Sequence, residues 1–273
     1  MPVSYPLSSP QLDQNLSQTP SGAIGLNELI HWCDQTLNAA AFKDYAPNGL
    51  QVAGKPLISK VVTGVTANLA LIDAAINAQA DAILVHHGYF WKGEDPCLTG
   101  MKGQRIARLY QHNLSLIAYH LPLDAHTRLG NNIAFAELMG FTTTGGLDPA
   151  ERYPIGNIGE CTPTTVADML AQLTEKLGRT PRHLPGGPEL IRKIGWCTGG
   201  AQDMIHQAAL MGCDAYFSGE VSERTFSEAA ELGIHYFECG HHATERGGVQ
   251  RLGAALAEQF GIAVEFIDIE NPV

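Results

Sequence analysis

The feature that most constrains this chain is a pair of apolar runs separated by an Ala-rich stretch, the second run ending in two histidines. Val61-Val62-Thr63-Gly64-Val65 is a short β-branched run that reads as a strand. Leu69 to Ala80 follows at helical spacing, without Gly or Pro. Ala82-Ile83-Leu84-Val85 is the second run, and it passes directly into His86-His87-Gly88. Apolar runs unbroken by polar alternation suit a parallel sheet covered on both faces, so the segment is a β-α-β unit. Arg105 to His112 predicts another helix. Leu114 to Tyr119 predicts another strand, leading into His120-Leu121-Pro122-Leu123-Asp124, and Asn131 to Met139 predicts a closing helix.

The same order recurs downstream. Lys193 to Gly200 parallels the Val61 strand, Met204 to Met211 the first helix, and Cys213 to Glu220 the run that ends in His86-His87. Ile234 to Glu238 parallels the strand before Asp124, and a helix from Val249 to Phe260 parallels Asn131 to Met139. The expected fold class is therefore α/β: two similar interlinked lobes from an internal duplication, with mixed or parallel sheets flanked by helices. The first lobe is assigned residues 26–127 plus 240–273 and the second residues 128–239. Leu26 to Leu37 predicts an amphipathic helix, and residues 1–25, rich in Ser, Gln and Pro, a flexible arm. Gly145 to Pro188 is expected to join or decorate the halves, with a helix near Thr165 to Leu177.

Charge and cysteine usage narrow the function classes. The 273 residues carry 28 acidic and 17 basic side chains, a net charge of -11. Nucleic-acid affinity rests on Lys and Arg neutralising phosphates, so a nucleic-acid partner is disfavoured. None of the six cysteines forms a CxxC pair and no secretory leader is evident, which together suggest reduced thiols and a cytoplasmic protein. No apolar run is long enough to span a membrane.

In parallel sheets, ligand sites form beyond the carboxyl ends of the strands. Four polar clusters fall at such ends here: His86-His87, Asp124 with His126, Ser218-Gly219-Glu220, and His241-His242 with Glu245. Four-residue spacing puts His241 and Glu245 on one helical face, within reach of one ion, and Glu245 can bridge two ions through its two oxygens. Imidazole and carboxylate donors suit Zn, Fe, Mn, Co or Ni better than Ca or Mg. Each cluster also has a plainer reading: an i,i+4 pair is often simply solvated, and an Asp at a strand end often caps a helix. Helical phase favours His241 over His242 as the ligand. His120 and His126 either orient ligands or serve as capping histidines. Glu220 either moves protons or is a polar strand terminus. Asn48-Gly49-Leu50-Gln51-Val52 reads as a turn into a short strand. Thr198-Gly199-Gly200 lacks the Lys of a phosphate-binding loop.

The set Asn48 to Val52, His86-His87-Gly88 with Phe90-Trp91, His120 to Asp124 with His126 and Gly130-Asn131-Asn132, Ser218-Gly219-Glu220, and Gly240 to Arg246 resembles the Nif-three-like family. Its members are also called GTP cyclohydrolase I type 2 homologues or dinuclear metal-centre proteins. The resemblance runs from about Leu26 to the end of the sequence. It implies a two-lobed α/β protein assembled as a toroidal homohexamer, with two divalent metal ions per chain facing an interior cavity. By motif match the ligands are His86, His87, Asp124, His241 and Glu245. The leading expectation is a metal-dependent hydrolase acting on a small molecule, with a nucleotide such as GTP the first candidate and Glu220 or His126 handling protons. The rival is a non-catalytic metal-binding ring that serves as a partner for regulatory proteins.

Overall fold

In the computed structural model, which describes residues 22–273, the strand Lys60–Thr66 lies within a five-stranded sheet. The strand order is Ala263–Phe266, Lys60–Thr66, Ala82–His87, Ser115–Ala118, Gly49–Val52. The first four run parallel and the last antiparallel. Near-continuous apolar strands need cover on both faces, and they have it. Leu29 and Leu37 of the helix Leu26–Leu37, with Leu252 and Leu256 of the long helix His241–Phe260, bury one face. Leu71 and Ile72 of the helix Leu69–Asn77, with Ile106 and Leu109 of Gly100–Gln111, bury the other. Each such side chain, taken fully out of water, stabilises the fold by roughly 1.5–3 kcal/mol before entropy is set against it.

The second sheet has six strands: Thr142–Gly146, Asn157–Thr165, Leu190–Cys197, Ala215–Ser218, His235–Glu238 and Arg182–Leu184, in that spatial order. Its central trio is parallel, in the chain order seen in the first sheet. The flanking strands are antiparallel. Phe135, Met169 and Leu173 pack with Trp196 in one core. Ile205, Ala208 and Ala229 pack with Tyr216 and Tyr236 in another.

Several boundaries differ from the sequence reading. Residues 1–21 of the expected arm lie outside the described residues. Its last part does not fit an arm: Ile24–Gly25 pairs antiparallel with Leu57–Ile58, and Ile24 is buried. The stretch expected to decorate the halves instead supplies strands of the second sheet, Asn157–Thr165 pairing directly with Leu190–Cys197. The last long helix starts at His241 rather than Val249. Among the described residues no helix is long and apolar enough to cross a membrane, and the six cysteines are unpaired.

Candidate metal centre

The carboxyl ends of the two parallel strand sets converge on one cleft. His86 and His87 end the strand Ala82–His87, and His120 follows Ser115–Ala118. From the second sheet come Thr198-Gly199-Gly200 after Leu190–Cys197, Glu220 after Ala215–Ser218, and the helix beginning at His241 after His235–Glu238. Asp124 stands on a single helical turn, Leu121–Ala125, rather than on a strand end.

These residues form three donor groups whose ligating atoms lie within 4.8 Å of one another: His86, Asp124 and Glu245; His87, His241 and Glu245; His86, His87 and His120. Glu245 belongs to the first two. Its Oε1 is 3.4 Å from His86 Nε2, while Oε2 is 3.2 Å from both His87 Nε2 and His241 Nε2. Oε2 is buried and makes no hydrogen bond of acceptable geometry with either ring. Two imidazole nitrogens and a carboxylate oxygen thus face a common point without bonding one another, as lone pairs do around a cation.

The four histidines are oriented alike. His86 Nδ1 donates to the Tyr119 carbonyl (2.9 Å), and His87 Nδ1 lies 3.1 Å from Thr66 Oγ1. His120 Nδ1 bonds Asp44 (2.7 Å) and His241 Nδ1 bonds Glu220 (2.7 Å). Every Nδ1 therefore has a partner outside the cluster, which is how outer partners fix metal-binding imidazoles, while His86 Nε2 also lies 3.4 Å from Asn131 Nδ2. Asp124 is held by Asn131 Nδ2 (2.9 Å), whose own Oδ1 accepts from Gly248 N–H in the long helix (2.8 Å). Asn132 spans the cleft, accepting from Thr198 N–H (3.0 Å) and donating to the carbonyls of Asp124 and Ile155.

The glycines here are steric necessities. Gly199 sits at φ +71, and a Cβ there would overlap Glu245 Oε1 and come within 3.1 Å of His241 Nε2. Gly88 leaves room for the Gln51 side chain, which accepts from Tyr89 N–H (2.7 Å) and donates to the Tyr89 carbonyl (3.2 Å). Two residues on, Phe90 adopts φ 66, a strained conformation for an aromatic residue. It turns the chain so that Trp91 lies 5.0 Å from the His120 ring and 6.0 Å from His87.

Electrostatics support occupancy by cations. Burial alone would depress His86, but the Asp124 and Glu245 carboxylates outweigh it and lift its pKa to about 10. Burial likewise opposes protonation of His241, and Glu245 and Glu220 raise it to about 9. His87 is driven down to about 3 by burial and by the neighbouring imidazoles, against the pull of Glu245. Burial raises Asp124, with Glu245 adding to the effect. Glu245 lies well below the usual carboxylate range despite burial, because His86, His87 and His241 surround it. Two buried carboxylates thus hold compensating positive charge in the site, supplied here by protons on His86 and His241, a charge that a divalent cation could supply instead.

The structure brings together all five sequence-predicted ligands, and it places Glu220 on His241. His126 lies apart: its Nδ1 accepts from the backbone N–H groups of Arg128 and Leu129, so it caps a turn instead of facing the cleft. His242, the alternative to His241, turns away to Asp268 (2.7 Å). Asp44 was invisible in sequence, with no motif around it. Its carboxylate accepts from Tyr45 N–H, Asn48 Nδ2, Leu121 N–H and His120, which holds its pKa down at about 2 against burial.

The fold and site define a two-sheet α/β protein with a carboxylate-bridged histidine cluster in the cleft between its sheets. More particularly, the chain belongs to the Duf34/NIF3 (NGG1p interacting factor 3) family, whose sequence model matches residues 24–272. A Pseudomonas aeruginosa protein named GTP cyclohydrolase 1 type 2 homolog is 50% identical over 251 residues, covering 92% of this chain and 99% of that protein. A Vibrio cholerae protein of the same name is 51% identical over 244 residues, covering 88% and 96%. Among solved structures, protein ybgI, described as of unknown function, superposes with a TM-score of 0.88 at 46% identity, covering 92% of this chain and 100% of its own. A Thermus thermophilus protein superposes with a TM-score of 0.84 at 28% identity, with the same coverage.

Proposed function

We propose that this chain is a dinuclear metal-dependent hydrolase of small molecules, working as a cytoplasmic homohexamer. The observation that carries the reading is Glu245, a buried carboxylate whose two oxygens each face a separate donor group. His86, Asp124 and Glu245 would hold one divalent ion, and His87, His241 and Glu245 the other, with Zn, Fe, Mn, Co or Ni suited to these donors. When bound, such a pair supplies Lewis-acid charge and acidifies a water. Five protein ligands shared between two ions leave positions open, as catalytic sites require.

The chain's own residues do the rest. Glu220 fixes the His241 ring through Nδ1, and the Tyr236 hydroxyl in turn bonds the Glu220 carbonyl. His120 is held by Asp44 through Nδ1, so Nε2 is the nitrogen able to take or return a proton at the cavity floor. The relatives' name points to purine ring opening at C8 as the first activity to assay.

The test is elemental analysis of metal per chain on wild type beside His86→Ala and Glu245→Gln, followed by turnover assays on GTP and on amide, ester and phosphate substrates. About two ions per chain, lost in both variants, with turnover in the loaded protein, is the expected result. A folded, fully loaded protein inert toward every substrate would remove the hydrolase reading.

A further inference from the structure

The cavity above the cluster, about 580 Å³, is lined by aromatic, aliphatic and polar side chains. On one side stand Tyr45, 61% exposed, and Trp91. The loops that carry them are tied together by Lys92 N–H donating to the Tyr45 carbonyl (2.6 Å). The Trp91 indole N–H is used within its own turn, donating to the Gly88 carbonyl (3.2 Å). What Trp91 offers a ligand is therefore π surface rather than a donor. Leu121, Ile155 and Met204 line the cavity as well, giving it apolar surface besides the aromatic rings. An aromatic wall beside aliphatic side chains favours a flat ring that can stack.

The charge pattern adds a second constraint. Proteins grip phosphate with Arg, Lys or backbone donors at helix N-termini. None of the described residues lining this cavity is Lys or Arg. Arg224, near the rim, is committed to Asp203. The N–H of His242, in the first turn of the long helix, is occupied by the Val273 carbonyl (2.9 Å). Two divalent ions would bring four positive charges, and Asp124, Glu220 and Glu245 offset three of them. That leaves little to balance a polyphosphate.

We infer that the cavity selects an uncharged planar nitrogen heterocycle, stacked on Trp91 and Tyr45, and discriminates against its phosphorylated forms. The inference rests on the hydrolase reading above and narrows its substrate class: a free base or nucleoside rather than a nucleoside triphosphate. Trp91 and Tyr45 are binding residues here and the cluster below is the reactive floor.

Isothermal titration of guanosine and guanosine 5′-monophosphate into the metal-loaded protein tests this, because the two probes differ only in the phosphate. Guanosine should bind, and the added phosphate should weaken binding at least about fivefold. Trp91→Ala should weaken guanosine at least about tenfold, while Trp91→Phe, which keeps a stacking face, stays within about threefold. Equal or tighter binding of the monophosphate, unchanged guanosine affinity in Trp91→Ala, or no guanosine binding at all would each overturn the inference. Metal content measured on the same samples separates the two readings. Protein that takes up no metal sinks the dinuclear site and this inference together. Two ions per chain with the monophosphate preferred sinks the inference alone.

Discussion

Replacing Gly199 with Ala tests the site without replacing any candidate ligand. Two costs add. The backbone at φ +71 is left-handed, which costs a non-glycine residue roughly 1–2 kcal/mol. The new methyl would also overlap Glu245 Oε1, so the carboxylate proposed to bridge must move by more than the roughly 0.2 Å a metal site would tolerate. Gly200→Ala is the matched control. Its Cβ would meet only the Glu220 carboxylate, at 3.4–3.5 Å, which is ordinary contact. Gly199→Ala should lower the melting temperature of metal-free protein by roughly 2–8 °C and weaken metal binding at least about tenfold to a hundredfold. Gly200→Ala should change stability by less than about 0.5 kcal/mol and leave metal affinity unchanged. Calorimetry on metal-free samples and competition titration against a chromophoric chelator measure both. Wild-type metal affinity in Gly199→Ala would show that Glu245 does not bridge from the position it occupies here, and the argument for two ions would fail.

Two further outcomes concern protons. In metal-free protein His86 and His241 titrate at about 10 and 9, so both are charged at pH 7 and cation uptake must expel their protons. Metal addition in weak buffer should release about two protons per chain, and a pH indicator that records none would contradict the assigned ligands. Because both folded values lie above the unfolded one, their contribution to metal-free stability is complete below about pH 6.5 and is lost as pH rises through 9 to 10. Denaturant midpoints of metal-free protein between pH 7 and 10 should therefore fall, whereas metal-loaded protein should be flatter. Asp44 has the opposite sign. Its folded pKa of about 2 is depressed, so Asp44→Ala should cost on the order of 2 kcal/mol at neutral pH. That penalty should shrink as pH falls toward 2; a constant penalty would mean that packing, not the charge, holds the loop.

Much of this was legible in the chain because the physics involved is local. The helices Leu26–Leu37 and Asn131–Met139 lie where apolar spacing puts them, and the residues that converge in the cleft are visible because strand ends and helical phase are sequence properties. What was hidden depends on tertiary contact. The sequence parallel begins the long helix at Val249, whereas in the fold it begins at His241. In the fold a Cβ at 247 would strike Ala134 and one at 248 would strike Asn131, so the glycines permit close helix packing. The strand Asn157–Thr165 shows no apolar alternation, since much of it is half-exposed beside an edge strand. Asp44 gains its role only when the turn at His120 is folded against it, and nothing within a few residues of it announces that. His126 goes the other way: of its two readings, orienting ligands or capping, the fold shows the capping one, which serves the local turn.

Two of the three donor groups include Glu245, and the helix carrying it packs against the strand that begins at Lys60. Neither of those two groups is complete while synthesis has yet to reach that glutamate, however complete the histidine-bearing strand already is. If the site takes up metal, acquisition at those two groups would be deferred to a late stage of chain production, and a nascent polypeptide stalled short of residue 245 would compete poorly for exchangeable metal.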